Sequence, residues 1–389
     1  MTKRKKMYTY TTIPLPSGTI AHSWKPSGPS PPRAILVLQH GFGEYAERYA
    51  TSHSKLIPRL TELGIEVWAL DLQGHGLSPG ARGVVDIHAA VRDHVWLVVF
   101  VAASAGTSME TTVAAGSTAN GPESKISTPP ILLFGHSLGG LVTAGSATAL
   151  LTASQKPNNY PTPFPTPRIK GVILTSPVLP FPNPNIVQPL IFTLASLLLR
   201  LIAFFFPHRE VPTLPGSTPP PSDTLRGENE AVQMAADDGM LFRGGISWTA
   251  AASAVGVVSG VWRGVREGLW GRKEDDEARN DNRVDVKADV DVLVLHGRWD
   301  PWSDWRGSSS FVEGIKRSRA QIARAKRVET GKTEDESKGE RSRAKLVILD
   351  TRYHELLNAG GSTGVEVIRV MLEWIDARIA DGDASPFRG

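Results

Sequence analysis

The sequence has no cysteine among its 389 residues, which excludes disulfide bonds and thiolate-based metal or redox sites. It also lacks the pattern of a secretory leader, because the basic segment Met1–Lys6 is followed by the polar segment Met7–Thr12 rather than by an apolar stretch. We therefore expect an intracellular, reducing compartment. No internal repeat, metal-ligand spacing or glycine-rich phosphate loop is present, so we expect neither a metal nor another cofactor.

The charge balance is weakly basic, with a net charge of +4. The excess basic residues lie in the N-terminal tail and in Lys316–Lys345, a stretch that also carries several acidic residues. Such runs of mixed sign are typical of solvated insertions. They lack the interleaved aromatic and basic residues of an RNA- or DNA-binding module, so we expect no nucleic-acid partner.

Short apolar runs alternate with longer segments of helical pattern along most of the chain. Several runs are continuously apolar, which is typical of buried parallel strands. The alternation predicts an α/β fold, with a mostly parallel central sheet covered by helices on both faces and an antiparallel hairpin, Met7–Tyr10 with Thr19–Trp24, at one edge. The predicted strands are Ala34–Leu38, Ile65–Leu70, Ile131–Phe134, Ile169–Leu174, Val290–Leu295 and Ala344–Leu349, and the predicted helices lie near Tyr45–Leu63, Val84–Ala103, Leu138–Ala153, Ser303–Lys326 and Thr363–Ala380.

Five irregular regions interrupt this alternation. Four are predicted to be surface insertions. Ser104–Thr128 is rich in serine, threonine, alanine and glycine, Gln155–Pro167 is rich in proline, and Arg272–Arg283 and Lys316–Lys345 are rich in charged residues. The fifth is long and contains a helix, and it is predicted to be a cap over the active site. We therefore expect a core formed by residues 1–176 (with flexible insertions at about 104–129 and 154–168) and 271–389 (with charged insertions at about 272–288 and 316–344), and a cap formed by residues 177–270.

A candidate nucleophile follows the strand Ile131–Phe134 in the motif Gly135-His-Ser137-Leu-Gly139. The G-x-S-x-G pattern alone is weak, but here a strand precedes it and a helix with small residues follows it. These are the surroundings of a nucleophile elbow, the sharp turn that presents the serine of an α/β-hydrolase. The glycines are needed because larger side chains two residues on either side would clash in such a turn.

A serine hydroxyl needs a base to take its proton, and in this fold the acid and the histidine follow the serine in that order. Three histidines follow Ser137. His208 lies in the expected cap and His296 closes a strand, whereas His354 comes directly after the last predicted strand, where the base is expected. Asp300 follows the strand before it and is the preferred acid, with Asp304 and Asp350 as rivals.

The oxyanion of an acyl-transfer reaction requires two backbone N–H donors. We expect one at Leu138, directly after the nucleophile, and the other at Phe42, whose flanking glycines let the backbone approach closely. Three further histidines near these motifs are expected to be structural. His40 should pack under the loop, His75 should support its own turn, and His136 should point away from the nucleophile.

An apolar helix, Pro189–Phe206, lies in the expected cap and is a transmembrane candidate by length and hydropathy. A single span would separate Ser137 from His354 by a bilayer, and Gly245–Trp262 is too weakly apolar to supply a second span. Because the helix is apolar around nearly its whole circumference, we expect its exposed face to meet a lipid interface. We also expect Pro189–Phe206 to take part in substrate binding.

Six motifs together resemble the monoacylglycerol lipase family, and they fall in the family's order over most of the chain. The resemblance implies an α/β-hydrolase with a cap that hydrolyses a monoacylglycerol to glycerol and a fatty acid without a cofactor. It also implies Ser137, Asp300 and His354 as the triad, and Phe42 and Leu138 as oxyanion donors. Asp237–Gly245 resembles the family's segment leading out of the cap. The motifs are His40–Tyr45 with Arg48-Tyr49, Asp71–Ser78, Val91–Asp93, Gly135–Gly140, His296–Asp300 and Tyr353–Glu355.

The expected function is therefore hydrolysis of monoacylglycerol esters through an acyl-enzyme, in the cytoplasm with peripheral attachment to a membrane or lipid droplet. A broader carboxylesterase or lysophospholipase is the alternative. An aminopeptidase is less favoured, since its cap would need acidic groups to hold a free amine. A non-catalytic binding protein of the same fold is opposed by the intact set of Ser137, Asp300 and His354.

Overall fold

The computed structural model describes residues 7–52, 54–116, 128–155, 167, 169–180, 188–212, 238–270, 290–330, 343–359 and 361–379. Eight strands in these ranges form one sheet: β1 (Tyr8–Pro14), β2 (Ile20–Pro26), β3 (Ala34–Gln39), β4 (Ile65–Leu70), β5 (Ile131–His136), β6 (Ile169–Thr175), β7 (Asp291–Gly297) and β8 (Ala344–Leu349).

The strand order in the sheet is β1-β2-β4-β3-β5-β6-β7-β8. The six strands from β3 to β8 are mutually parallel, whereas β2 is antiparallel to β4 and pairs with β1 as a hairpin. The predicted parallel sheet with an antiparallel hairpin at its edge is therefore confirmed. Every residue of β3, β4 and β5 is buried, which explains why their sequences are mostly apolar.

Helices cover both faces of the sheet: α1 (Arg48–Thr51), α2 (Leu56–Glu62), α3 (Ile87–Gly116), α4 (Leu138–Gln155), α5 (Gln188–Phe205), α6 (Trp248–Arg266), α7 (Trp305–Thr330) and α8 (Gly361–Ile379). One apolar core contains buried residues of α3, α4, α6 and α7, and a second contains residues of α1, α2 and α8. Side chains from alternate positions of each central strand enter the two cores, as in a three-layer α/β fold.

Two predicted insertions are partly helical. α3 continues through Gly116 into the stretch Ser104–Thr128, and α7 continues to Thr330 into the stretch Lys316–Lys345. In both stretches alanine, glutamate, lysine or arginine is frequent, and these residues favour helices whatever their charge pattern. Residues 117–127 and 331–342 of these two stretches lie outside the described residues. So do Arg272–Arg283 and nearly all of Gln155–Pro167.

The chain between β6 and β7 contains α5 and α6. α6 contacts α3, α4 and α7 and places Val257, Val261 and Val265 in the core, whereas α5 contacts α6. The helix expected at Pro189–Phe206 is thus present as α5. The boundaries of the expected cap at residues 177 and 270 stay predictions.

Within the described ranges, the segment Ile87–Ala105 of α3 is long and apolar enough to cross a membrane, by length and composition alone. Leu97, Val98 and Val101 of this segment are buried in the core, where α3 contacts α4 and α6. The packing accounts for its apolar character without a membrane.

Candidate active site

Ser137 lies between the end of β5 and the start of α4, in a left-handed backbone conformation with a φ of +52°. The glycines of the motif are required by close contacts. A Cβ at Gly135 would lie 2.5 Å from the carbonyl oxygen of Gly139, and a Cβ at Gly139 would lie 2.2 Å from the carbonyl oxygen of His40. The expected strand, turn and helix are therefore all present, with the strained backbone that such an elbow imposes.

A chain of two short hydrogen bonds joins three residues that are far apart in sequence. The Nε2 atom of His354 lies 2.7 Å from Ser137 Oγ, and its Nδ1 atom lies 2.7 Å from Asp300 Oδ2. His354 is buried and follows β8, whereas Asp300 lies on the loop after β7. The structure thus brings together the three side chains expected to form the triad, in the order that proton transfer requires.

The carboxylate of Asp300 is held by its own loop. It accepts hydrogen bonds from the backbone N–H of Trp302 at 2.8 Å and from Ser303 Oγ at 2.9 Å. Burial favours a raised pKa for Asp300, but hydrogen bonds from His296 and His354 outweigh it and hold the pKa well below its usual range. Asp300 is therefore ionised at neutral pH and fixes the Nδ1-protonated form of His354.

The rival residues have other partners. Asp350 accepts a 2.8 Å hydrogen bond from Trp299 Nε1, and Asp304 pairs with Arg306 at the surface. His296 is buried and bonds to Ser308 Oγ at 2.8 Å and to the carbonyl oxygen of Ser303 at 2.9 Å, so it supports the loop that carries Asp300. His208 is exposed just beyond α5. These contacts favour His354 and Asp300 over their rivals.

His40 and His136 flank the site. His40 is buried, its Nδ1 lies 2.7 Å from the carbonyl oxygen of Gly41, and its Nε2 accepts from the backbone N–H of Leu72 at 3.0 Å. Burial lowers the pKa of His40, so the ring is neutral. His40 therefore packs under the loop, as expected. His136 does more than point away from the nucleophile, because its ring centroid lies 5.1 Å from that of His354.

The loop Gly41–Gly43 lies directly against the nucleophile. A Cβ at Gly41 would be 3.2 Å from Ser137 Cβ, a tight contact that would require a neighbour to shift. Leu138 is the first residue of α4, and its N–H therefore has no acceptor within the helix. Leu138 follows Ser137 in the chain. Phe42 lies in the middle of the loop that approaches Ser137 in space. Their role as oxyanion donors stays a prediction.

A buried ionic cluster beneath this loop was missed by the sequence analysis. Glu44 accepts hydrogen bonds from the N–H of Gly41 at 2.9 Å and from Tyr49 OH at 2.8 Å, and it forms an ion pair with Arg48. Arg48 also donates a 2.7 Å hydrogen bond to Glu355, the residue after His354. The cluster therefore connects the Gly41–Gly43 loop to the segment that carries the histidine.

The electrostatics of the cluster favour its charged form. Burial alone would raise the pKa of Glu44, but His136, Arg48 and the Gly41 N–H together lower it to about 2. For Arg48, burial opposes the charge, and the two carboxylates reverse this and raise its pKa above its ordinary value. Removing one member of such a buried set leaves the others without compensation. In the sequence, the cluster is marked by an acidic and a basic residue four positions apart, Glu44 and Arg48. Many exposed helices carry the same spacing, so it did not indicate a buried cluster.

A second buried contact ties the N-terminal hairpin to the same region. Asp71 accepts from His22 Nε2 at 2.9 Å and from the backbone N–H groups of Ala46 and Leu77, both at 2.7 Å. Tyr10 OH lies 2.9 Å from the other ring nitrogen of His22. The motif that begins at Asp71 therefore fixes the entry to α1, next to the Gly41–Gly43 loop.

One face of α5 is apolar and solvent-exposed. The side chains that form this apolar face follow a spacing of three and four residues, and each is more than half exposed. Arg200 is exposed on the same helix. The members of the apolar face of α5 are Leu194, Leu197, Leu198, Leu201, Phe204 and Phe205.

The sequence also matches a family model. The model described as "Serine aminopeptidase, S33" matches residues 30–328. A monoglyceride lipase of Rattus norvegicus is 31% identical over 186 residues, which is 48% of this chain and 46% of the rat protein. A monoglyceride lipase of Homo sapiens is 28% identical over 294 residues, or 75% of this chain and 73% of the human protein. The match spans about half the length of the rat relative. These two similarities confirm the expected resemblance to monoacylglycerol lipases.

Solved structures share the fold. A monoacylglycerol lipase from Paleococcus ferrophilus aligns with a TM-score of 0.51 at 20% identity, over 95% of this chain and 98% of that chain. A soluble variant of a monoglyceride lipase from Saccharomyces cerevisiae, in complex with a substrate analogue, aligns with a TM-score of 0.57 at 17% identity, over 96% of both chains. With the parallel sheet described above, these similarities establish the α/β-hydrolase fold.

Proposed function

The chain belongs to the serine aminopeptidase S33 family, a family of hydrolases, and on this basis we propose that it cleaves the ester bond of monoacylglycerols to glycerol and a free fatty acid. The observation that carries the proposal is the hydrogen-bonded chain Ser137–His354–Asp300, with both bonds at 2.7 Å. The sequence similarity to monoglyceride lipases supports the choice of substrate.

The proposed reaction proceeds through an acyl-enzyme. Ser137 Oγ attacks the ester carbonyl carbon while His354 Nε2 takes its proton, and Asp300 stabilises the imidazolium that forms. The developing oxyanion accepts hydrogen bonds from the backbone N–H groups of Phe42 and Leu138. As the C–O bond to the glycerol oxygen breaks, the imidazolium of His354 gives its proton to that oxygen, and glycerol leaves. A water molecule, deprotonated by the same histidine, attacks the acyl-enzyme and releases the fatty acid.

The apolar face of α5 supports a lipid substrate. A long-chain monoacylglycerol dissolves poorly in water, and an exposed apolar helix face would let the enzyme dock on the lipid surface that holds it. Arg200 can extend its aliphatic part along this face and place its charge among headgroups. We therefore also propose that the enzyme works in the cytoplasm at the surface of a membrane or lipid droplet.

The aminopeptidase activity in the family's description is disfavoured by the composition of α5. Recognition of a free amine requires an acidic group, and the sequence of α5 contains none. A broader carboxylesterase or a lysophospholipase would use the same chemistry and differ in what the pocket accepts. The choice among these esters is therefore a question of relative kcat/KM.

A kinetic panel tests the proposal. Purified protein is assayed with monoacylglycerols, diacylglycerols, lysophospholipids, short p-nitrophenyl esters and aminoacyl p-nitroanilides, with Ser137→Ala as the blank. We expect the highest kcat/KM with monoacylglycerols and no turnover by the blank. Preference for a lysophospholipid, or turnover confined to the anilides, would overturn the substrate assignment.

A further inference from the structure

The segment Asp238–Gly245, which leads back from α5 toward α6, lies on the Gly41–Gly43 loop. The N–H of Phe242 donates a 2.9 Å hydrogen bond to the carbonyl oxygen of Gly43. At the start of the segment, Tyr45 OH donates to Asp238 Oδ2 at 2.8 Å. Two residues later, the guanidinium of Arg82 donates to the carbonyl oxygen of Met240. The segment is therefore fixed to the core along its length, and Phe242 makes the contact nearest to Phe42.

The ring of Phe242 occupies a slot lined by glycines. A Cβ at Gly83 would lie 2.0 Å from its Cε1 atom, and a Cβ at Gly244 would lie 2.4 Å from its Cζ atom. A Cβ at Gly43 would lie 2.5 Å from the carbonyl oxygen of Phe242. Real Cβ atoms essentially never approach so closely, so any larger residue at these positions would displace Phe242. Three glycines, far apart in sequence, are thus required by one side chain and its backbone.

Within the slot, Phe242 is part of an aromatic group with Phe42 and His75. Its ring centroid lies 5.7 Å from that of Phe42, with an interplanar angle of 87°, and 6.4 Å from that of His75. Phe42 and His75 are 5.3 Å apart at 69°. These are the edge-to-face arrangements that aromatic rings prefer. The side chain of Phe42 is therefore oriented from two sides.

The backbone on either side of Phe42 is also held. Glu44 accepts from the N–H of Gly41 at 2.9 Å, on one side, and Phe242 donates to the carbonyl oxygen of Gly43 at 2.9 Å, on the other. The direction of the Phe42 N–H depends on the peptide groups that flank it. The Gly41 carbonyl, which shares a peptide group with the Phe42 N–H, is also held by His40 Nδ1 at 2.7 Å. Of these anchors, His40 and Glu44 adjoin the loop, whereas Phe242 is 200 residues away from Phe42 along the chain.

We propose that Phe242 is a positioning residue that fixes the direction of the Phe42 N–H and so couples the segment returning from α5 to stabilisation of the oxyanion. The inference rests on the proposed ester hydrolysis, because it assigns Phe42 to that step. It implies that Phe242 acts on the transition state and not on ground-state binding of the ester.

The first experiment separates kcat from KM with a soluble short-chain p-nitrophenyl ester, so that lipid binding plays no part. We expect Phe242→Ala to lower kcat by about tenfold to a hundredfold and to leave KM within about threefold, the pattern of a lost transition-state interaction. Phe242→Leu, which keeps most of the apolar volume, should restore part of kcat. The affinity for a trifluoromethyl ketone, which forms a tetrahedral adduct with the serine, should fall in parallel with kcat.

A double-mutant cycle tests whether the slot acts through Phe242. Gly244 does not adopt a left-handed φ, so Gly244→Ala introduces a clash with the ring without backbone strain. The new Cβ would also lie 2.5 Å from Glu210 Oε1, but this is the end of a flexible side chain that can move aside. We expect this substitution to lower kcat in the wild type and to have little effect in Phe242→Ala, where the ring is gone. Phe100→Ala is the matched control, because Phe100 is a partly buried aromatic residue of α3 that packs on Trp96 and Trp68. It should lower the midpoint of thermal unfolding and leave kcat unchanged.

The outcomes separate two failures. If the wild type hydrolyses none of the esters, the proposed function fails. If the wild type is active and Phe242→Ala keeps its kcat and its affinity for the ketone, the positioning role is wrong. A rise in KM alone would also overturn it, because this would mark Phe242 as part of the substrate pocket. If Phe242→Ala does not fold, the same comparison is made with Phe242→Leu and Gly244→Ala.

Discussion

Arg48 donates a 2.7 Å hydrogen bond to Glu355, and this contact joins the helix after the Gly41–Gly43 loop to the residue next to His354. The same guanidinium forms an ion pair with Glu44, which accepts from the N–H of Gly41. The segment that carries His354 and the Gly41–Gly43 loop are therefore held by one buried cation. A change at Arg48 should affect both sides of the site at once.

We expect Arg48→Met to lower stability strongly, because it leaves two buried carboxylates without their partner. The loss of one member of a buried ion pair costs about 3–5 kcal/mol. The midpoint of thermal unfolding should fall by about 4–6 °C, since an unfolding entropy of about 2.1 cal/mol/K per residue gives about 1.2 °C per kcal/mol for a chain of this length. Differential scanning calorimetry measures this change.

Arg369→Met is the matched control for Arg48→Met. Arg369 forms ion pairs with Glu366 and Glu373, and all three side chains are about half exposed. Exposed pairs of this kind contribute little, so the midpoint should not move measurably. Equal midpoints for the two variants would show that the cluster under the Gly41–Gly43 loop does not stabilise the fold.

Asp300→Asn should preserve the fold and reduce kcat by about four orders of magnitude at neutral pH, because the amide no longer favours the required protonation state of His354. Ester hydrolysis by the variant, with Asp350→Asn as its control, measures the effect. Asp350 bonds to Trp299, so its substitution should leave kcat near the wild-type value. A mild effect at Asp300 and a severe one at Asp350 would mean that the wrong carboxylate has been assigned.

Replacing Leu198, Leu201 and Phe205 by serine should abolish flotation with liposomes and reduce turnover of long-chain monoacylglycerol. All three lie on the exposed apolar face of α5, so their loss removes apolar area available to a lipid surface. Hydrolysis of a short soluble ester should persist. Val365→Ser, at another exposed apolar position, is the control and should float like the wild type. Flotation of the triple variant at the wild-type level would contradict the proposed lipid-surface role of α5.

His94 predicts a dependence of stability on pH. The side chain is fully buried, and burial lowers its pKa from 6.5 to about 4. The unfolded chain binds this proton at higher pH than the folded one, so the stability associated with neutral His94 is present above pH 6.5 and is lost as pH falls toward 4.

Urea unfolding at pH 7, 6 and 5 measures this effect, with His94→Leu as the comparison. Between the two pKa values, the free energy of unfolding of the wild type should fall by about 1.4 kcal/mol more per pH unit than that of the variant. Parallel pH profiles for the two proteins would show that His94 does not titrate as its burial requires.

Much of the fold could be predicted from sequence because its signals are local. β4 and β8 have the predicted bounds, since each is a short apolar run that ends at a polar residue or a turn. The same holds for Ser137, whose motif lies within five residues, and for His354 and Asp300, which directly follow strands. A catalytic position at a strand end is fixed by the strand pattern itself.

The parts that sequence analysis missed depend on contacts between distant segments. Glu44 and Glu355 are more than 300 residues apart and meet only through Arg48. Phe242 is recognisable only with Gly83 and Gly244 beside it, because a glycine carries no sign of the side chain that it makes room for. The helical part of Ser104–Thr128 was missed for another reason: its serine, threonine and glycine residues drew attention away from the alanines between them, which favour a helix.

The pairing of β6 with β7 has a consequence for synthesis on the ribosome. Gly171 pairs with Asp291, so β6 must wait for about 120 further residues before its neighbouring strand is made. During that interval its edge is open to other chains, and nascent molecules at high density are at risk of pairing with each other. Ser137 is translated long before His354, so the proposed nucleophile emerges without its proposed base, and the hydrogen bond between them can form only after the last strand has been made.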